Sequence, residues 1–276
     1  MRLAFVKMHG LGNDFIVFDA PPTGPLPAAA ELRRLADRHS GIGFDQALVL
    51  APPRHAGSAV SYRVFNADGT EVEQCGNGAR CIAALVGARL GHRAGPLLMD
   101  SAAGVVEARM HADGLVSVAM GVPDFLPAAL PFEANAEQAS YALAIGSGTI
   151  EIGAVAVGNP HVVLVVNSVV DAPVDSLGPL IENHPRFPQH TNVEFMEIVA
   201  PDHIRLRVHE RGVGETRACG TGACAAVSVG RRRGLLAPTV QVDLPGGRVS
   251  VEWRGDHERI WLTGPTATVF EGHIEL

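Results

Sequence analysis

Along the first half of the chain the hydrophobic positions change period in a fixed order. Val60, Tyr62 and Val64 alternate with Ser61 and Arg63, the period-two pattern of a strand with one buried face. After a loop and the run Cys75-Gly-Asn-Gly78, Ile82, Leu85, Val86 and Leu90 recur at helical spacing, predicting a helix closed by Gly91. Val106–Met110 and Val116–Met120 flank Asp113-Gly114 and predict a hairpin. The second half repeats this order. Ile204, Leu206 and Val208 alternate with Arg205, Arg207 and His209. Then come Cys219-Gly-Thr-Gly222, a helical run ending at Gly234, the strand Thr239–Leu244, a turn at Pro245-Gly-Gly247, and Val249, Val251 and Trp253. Arg231–Arg233 fall in the last turn of the second helix, where cations are favoured by the helix dipole.

Individual residues repeat at the same distance as the elements. Cys75 and Cys219 lie 144 positions apart (219 − 75), as do Asn66 and Glu210. Gly12-Asn13 recurs as Gly158-Asn159, and Gln46 recurs as Asn192, at an offset of 146 (192 − 46). A repeat this long is a duplicated domain rather than a solenoid. Strands outnumber helices and most are joined by tight turns. The expected fold is therefore α+β, with two similar domains from an internal duplication, each a curved, mostly antiparallel sheet packed around a helix. The Pro-rich stretch Pro123–Pro131 is the expected linker.

Composition narrows the function. The chain has 276 residues, 47% apolar and 18% charged, with a formal net charge of −7. That supports folded cores, and the acidic balance argues against a nucleic-acid partner. Lys7 is the single lysine, so a pyridoxal Schiff base has one possible site. No signal-peptide pattern opens the sequence, and the most apolar stretch, around Ala154–Val170, is interrupted by Gly158, Asn159, Pro160, His161 and Asn167, which argues against a membrane span. Four cysteines in a chain this long make no disulfide scaffold, so a cytoplasmic protein with reduced thiols is expected.

Cys75 and Cys219 each precede Gly-x-Gly and a helical run. A thiol there meets the positive end of the helix dipole, which is expected to lower its pKa, and the N–H groups of the first turn suit a substrate carboxylate. Two such sites related by duplication suggest a thiol on each side of one carboxylate-bearing carbon, one starting as thiolate and one as thiol. That is the requirement of an epimerase or racemase working without pyridoxal phosphate. Cys81 and Cys224, inside the helices, read as small apolar packing residues. Structural zinc favours tighter cysteine spacing, so no metal is expected, and Walker A, G-x-S-x-G and H-E-x-x-H motifs are absent from the sequence.

These residues lie in segments that resemble the diaminopimelate epimerase family. The segments are Lys7-Met-His-Gly-Leu-Gly-Asn-Asp-Phe15, Gly43-Phe-Asp-Gln46, Phe65-Asn-Ala-Asp-Gly-Thr-Glu71, Cys75-Gly-Asn-Gly-Ala-Arg80, Gly158-Asn-Pro-His161, Thr191-Asn-Val-Glu194 and His209-Glu-Arg-Gly through Gly222-Ala223. Ser101 stands where the family more often has threonine. The resemblance implies interconversion of LL- and meso-diaminopimelate in lysine synthesis, with no cofactor and with Cys75 and Cys219 as acid and base. It implies that Gly76-Asn77 and Gly220-Thr221 hold the reacting carboxylate. Asn13, Gln46, Asn66, Asn159, Asn192, Glu210 and Arg211 match substrate contacts, and His161 and Glu210 match residues that tune the thiols. The resemblance also implies barrel-like sheets around a central helix and a possible homodimer. It returns the C-terminal strand to the first domain, giving domains 1–121 plus 266–276 and 122–265, with the active site in the cleft between them.

Two rivals stay open. A proline or hydroxyproline racemase-like enzyme would need no polar set ending in Arg211, and would show Cys-Gly-His-Gly where Cys75-Gly-Asn-Gly78 stands. A non-catalytic amino-acid binder would need neither thiol.

Overall fold

The computed structural model describes residues 2–21, 25–72, 75–92 and 95–275. The chain divides into two compact units, Met1–Val118 with Gly264–Leu276, and Ala119–Thr263. In chain order the first stretch contains β1 (Arg2–Gly10), β2 (Asn13–Asp19), α1 (Ala29–Ala36), β3 (Gln46–Ala51), β4 (Ser58–Asn66), β5 (Glu71–Val72), α2 (Gly76–Arg89), β6 (Gly95–Ser101), β7 (Gly104–Met110) and β8 (Val116–Ala119). The second contains β9 (Tyr141–Ile145), β10 (Gly148–Ala156), β11 (Pro160–Val166), α3 (Val174–Glu182), β12 (Asn192–Ala200), β13 (His203–Glu210), β14 (Gly214–Thr216), α4 (Gly220–Arg232), β15 (Thr239–Leu244), β16 (Gly247–Glu252) and β17 (Trp261–Gly264). The last strand, β18 (Ala267–Glu275), pairs with β1 and belongs to the N-terminal unit.

Each unit lays out its strands in one pattern. The N-terminal order is β18-β1-β2-β3-β4-β6-β7-β8, with β5 also on β4. The C-terminal order is β9-β10-β11-β12-β13-β15-β16-β17, with β14 on β13. Among the described residues the pairings within each unit are antiparallel except β2–β3 and β4–β6 in one and β11–β12 and β13–β15 in the other. Parallel neighbours need a crossover, and each of these encloses a helix. The registers match as well: Phe15↔Gln46 corresponds to His161↔Asn192, and Ala47↔Phe65 to Val193↔His209. The shift of offset from 146 to 144 therefore falls in the β12–β13 hairpin, two residues shorter than β3–β4.

Each sheet packs on its longer helix: α2 on β1, β2, β4, β6 and β7, and α4 on β10, β11, β12, β13 and β16. The helix faces carry small apolar groups, among them Ala79, Cys81 and Ala83 in α2 and Ala223, Cys224 and Ala226 in α4, all fully buried. Cys81 and Cys224 thus act as packing residues, and burial pushes the Cys81 thiol up to about 12. Two expectations change here. No pairing among the described residues joins β18 to β8 or β9 to β17, so the sheets are open and not closed barrels. The stretch Pro123–Pro131 is no free linker: the Asp124 and Ala156 backbones exchange hydrogen bonds, and Leu130 is 1% exposed inside the C-terminal core beside Phe132, Tyr141 and Phe187.

Candidate active site

In the N-terminal unit Asn13 opens β2, Gln46 opens β3 and Asn66 ends β4, so the sheet's pairing brings all three to one edge. Gln46 Nε2 donates to Asn66 Oδ1 at 3.0 Å, and Asn66 Nδ2 to Thr70 Oγ1 at 3.3 Å. Cys75 is the N-cap of α2, in extended backbone and half-buried. Its Sγ lies 3.8 Å from Asn13 Oδ1, which also accepts from Asn77 Nδ2 at 3.1 Å. Asn77 Oδ1 in turn accepts from Arg80 Nη2 at 2.9 Å, and Arg80 is wholly buried. The first turn of α2 is thereby tied to the start of β2.

Asn13 is itself anchored from outside. Its Nδ2 donates to Asp45 Oδ2 at 2.9 Å, and Asp45 pairs with Arg38, which also forks onto Asp14. Lys7, 7% exposed, donates to Asp14 Oδ2 at 2.5 Å and to the Gly43 carbonyl. The single lysine amine, on β1, therefore ties the start of β2 to the entry of β3. Burial pulls the Asp14 carboxyl upward, but hydrogen bonds from Arg38 and Lys7 outweigh it and hold the group well below the usual carboxylate range.

The C-terminal unit builds the same edge from different groups. Asn159 precedes β11, Asn192 opens β12 and Glu210 ends β13. Asn192 donates to the Pro160 carbonyl at 2.9 Å and accepts from the Arg211 N–H at 3.0 Å. The Arg211 side chain is exposed, donating to the Gln189 carbonyl at 3.1 Å. Glu210 Oε1 accepts from Thr216 Oγ1 at 2.5 Å. Cys219 is the N-cap of α4 and is 4% exposed; its Sγ accepts from the Gly222 N–H at 3.4 Å and lies 3.5 Å from Thr221 Oγ1.

In both helices the first intrahelical bond from the N-cap carbonyl goes to the fourth residue, Ala79 or Ala223. The N–H groups of the preceding turn, Gly76-Asn77-Gly78 and Gly220-Thr221-Gly222, are thus directed along the axis toward the cysteine end. That suits an anion such as a carboxylate. The expected lowering of thiol pKa is not found at Cys219. Burial, then the carboxylates of Glu210 and Glu194, push this thiol well above its ordinary value.

Glu194 is the residue that sequence reasoning passed over as a site member. It is 0% exposed, and its Oε1 lies 2.7 Å from Nδ1 of the equally buried His161, whose Nε2 lies 2.9 Å from Asn159 Oδ1. The available signal was its place two residues after Asn192 on β12, on the face opposite Val193 and Phe195, which lie in the core. No group of three or more His, Cys, Asp or Glu side chains suited to a metal ion occurs among the described residues, and no described helix is long and apolar enough to cross a membrane.

The fold is shared with known proteins. The fold matches a hydroxyproline epimerase from Agrobacterium vitis solved with trans-4-hydroxy-L-proline bound (TM-score 0.72, 16% identity, 99% of this chain and 92% of that one). It also matches a phenazine biosynthesis protein of the PhzF family from Bacillus anthracis (TM-score 0.69, 14% identity, 100% of both chains). At those identities the likeness is one of fold alone. The sequence is more specific. The family model for diaminopimelate epimerase matches residues 5–126 and 153–269. The chain is 52% identical, over 100% of both sequences, to diaminopimelate epimerases from Thioalkalivibrio sulfidiphilus and Nitrosomonas eutropha. The chain belongs to the diaminopimelate epimerase family.

Proposed function

We propose that the protein is a diaminopimelate epimerase of lysine biosynthesis, an isomerase that interconverts LL- and meso-2,6-diaminopimelate with two cysteines and no cofactor. One observation carries the mechanism: in each unit the same topological position, the N-cap of the helix after the β4–β5 or β13–β14 pair, is a cysteine followed by Gly-x-Gly. A thiolate removes the α-proton from one face of the substrate carbon while the other thiol delivers a proton to the opposite face. The helix N-termini, through Gly76-Asn77 and Gly220-Thr221, stabilise charge that develops on the α-carboxylate. Asn13, Gln46, Asn66, Asn159, Asn192, Glu210 and Arg211 hold the rest of the substrate. The Arg211 guanidinium suits the distal carboxylate as a two-pronged donor. His161 and Glu210 tune the thiols. The same reading makes the enzyme cytoplasmic.

The binder reading is disfavoured by the retention of both thiols, and the proline reading by Asn77 and the polar edge ending in Arg211. The test is turnover of LL-diaminopimelate by the protein freed of pyridoxal phosphate, followed by chiral chromatography. Formation of the meso isomer is expected, with L-proline unchanged. Turnover of proline in its place supports the racemase reading, and turnover of neither supports the binder.

A further inference from the structure

A buried carboxyl–imidazole pair commonly stabilises a fold no better than a well-packed apolar pair of similar volume, and this molecule contains its own apolar control. The two repeat offsets place Phe15, Leu48 and Gly78 where the C-terminal unit has His161, Glu194 and Gly222. A Cβ on Gly78 would lie 3.1 Å from Leu48 and 3.5 Å from Phe15; a Cβ on Gly222 would lie 2.9 Å from Glu194 Oε1 and 3.2 Å from Cys219 Sγ. The fold therefore closes the head of its helix with leucine and phenylalanine in one half. In the other half the same space holds a carboxyl and an imidazole, both 0% exposed.

The orientation of the Asn159 amide sets the hydrogen bonding of the pair. Asn159 Oδ1 is an acceptor, so His161 Nε2 carries a proton and donates it. Nδ1 and Glu194 Oε1 then share one proton at 2.7 Å, as imidazolium–carboxylate or as imidazole–carboxylic acid. In either form the ring is fixed in orientation, with Asn159 on one side and Glu194 on the other. Glu194 Oε2 has no hydrogen-bond partner among the described residues, so His161 is the group that holds this carboxyl. Oε1 sits against the first turn of α4, at a distance only glycine permits at position 222.

We propose that Glu194 is a positioning residue of the epimerase: it locks His161 against Asn159 and braces the α4 turn that presents Cys219 and its N–H groups. The proposal rests on the epimerase reading for its kinetic consequence, but not for its structural one. The test replaces Glu194 by the residue of the other half, Glu194→Leu, for which Leu48 shows that the site has room; Glu194→Met repeats the measurements if the leucine variant does not fold. Two readouts are taken. The first is kcat and KM for LL-diaminopimelate, with kcat expected to fall about tenfold to a hundredfold and KM to change little, as for a reacting group held slightly out of place. The second is the 15N spectrum of histidine-labelled protein. The parent is expected to show His161 protonated at Nε2, with an Nδ1 resonance shifted by the proton it shares with Glu194, and the variant to keep the Nε2 proton donated to Asn159 but show Nδ1 as a bare, unbonded imidazole nitrogen. A kcat within twofold of the parent, or a loss confined to KM, overturns the proposal. So does a His161 signal unchanged by the substitution. If the parent does not turn over diaminopimelate at all, the activity reading fails, while the spectra still decide whether Glu194 holds His161.

Discussion

At the head of α2, Gly78 faces Leu48 and Phe15; at the head of α4, Gly222 faces Glu194, with His161 bonded behind it. The fifth residue of α2 is a fully buried arginine, Arg80, and the fifth of α4 is Cys224. Arg211, after the end of β13, has Ala67 in the matching place after β4. The backbone of the two halves was kept through strand order, register and N-cap, while the buried charges at the helix heads diverged: Arg80 in one half, the Glu194–His161 pair in the other. LL- and meso-diaminopimelate are diastereomers rather than mirror images, so the two protons of the proposed reaction are not equivalent, and two unlike thiol environments suit it.

The largest effect that probes this comparison is removal of one thiol. Cys75→Ala and Cys219→Ala are each expected to lower kcat on the order of 10³-fold, with unchanged circular dichroism. Near-normal turnover by either variant would break the pairing of the halves. Next comes Arg211→Met, which removes a charged donor that the N-terminal unit lacks. Loss of a hydrogen bond to a charged group costs about 1.5–3 kcal/mol, so KM for LL-diaminopimelate should rise between about tenfold and about a hundredfold while kcat stays near the parent's. A KM left unchanged would remove Arg211 from the substrate set.

Gly222→Ala and Gly78→Ala compare the helix heads directly. At Gly222 the new methyl meets a carboxyl pinned by His161, so destabilisation of about 1–3 kcal/mol is expected from overpacking, with loss of activity. At Gly78 the Leu48 methyls can turn aside, and urea unfolding should show a smaller change. Equal costs would mean that the His161–Glu194 pair adds no rigidity.

The smallest effect is in pH dependence, where the halves have opposite sign. The paired Asp14 carboxyl is held below its ordinary value of 3.8, so its stabilisation is complete above that pH and is lost as pH falls below it. Glu194 is raised by burial above its ordinary 4.5, so the stability of the folded state declines as pH climbs from there through the raised value. Near neutral pH, Asp14→Asn should lower Tm by about 2–4 °C, a deficit that shrinks below pH 4, whereas Glu194→Gln should leave Tm level or raise it. Thermal scans from pH 3 to 8 check both signs.

Much of this was legible in the chain. Two Cys-Gly-x-Gly runs after alternating strands placed both N-caps, and the offsets of 144 and 146 anticipated a duplicated fold. The crossover helices α1 and α3 were missed because they are short, and α3 carries Gly178 and Pro179 within it. Glu194 was missed because a charged residue in an alternating strand reads as its solvent face, and only the packing of α4 over β12 turns that face inward. The raised Cys219 thiol was missed for the same reason: the helix N-terminus is visible in sequence, while burial and two carboxylates brought from β12 and β13 are not.

The most direct test of two thiols acting from opposite faces is the isotope content of both amino acids at low conversion in D2O, starting from unlabelled LL-diaminopimelate. The thiol that removes the proton can return only that proton, while the other delivers solvent deuterium. The account predicts meso product deuterated at one α-carbon and recovered LL substrate free of deuterium. Equal deuterium in substrate and product at early times would mean that one base serves both faces, and would contradict it.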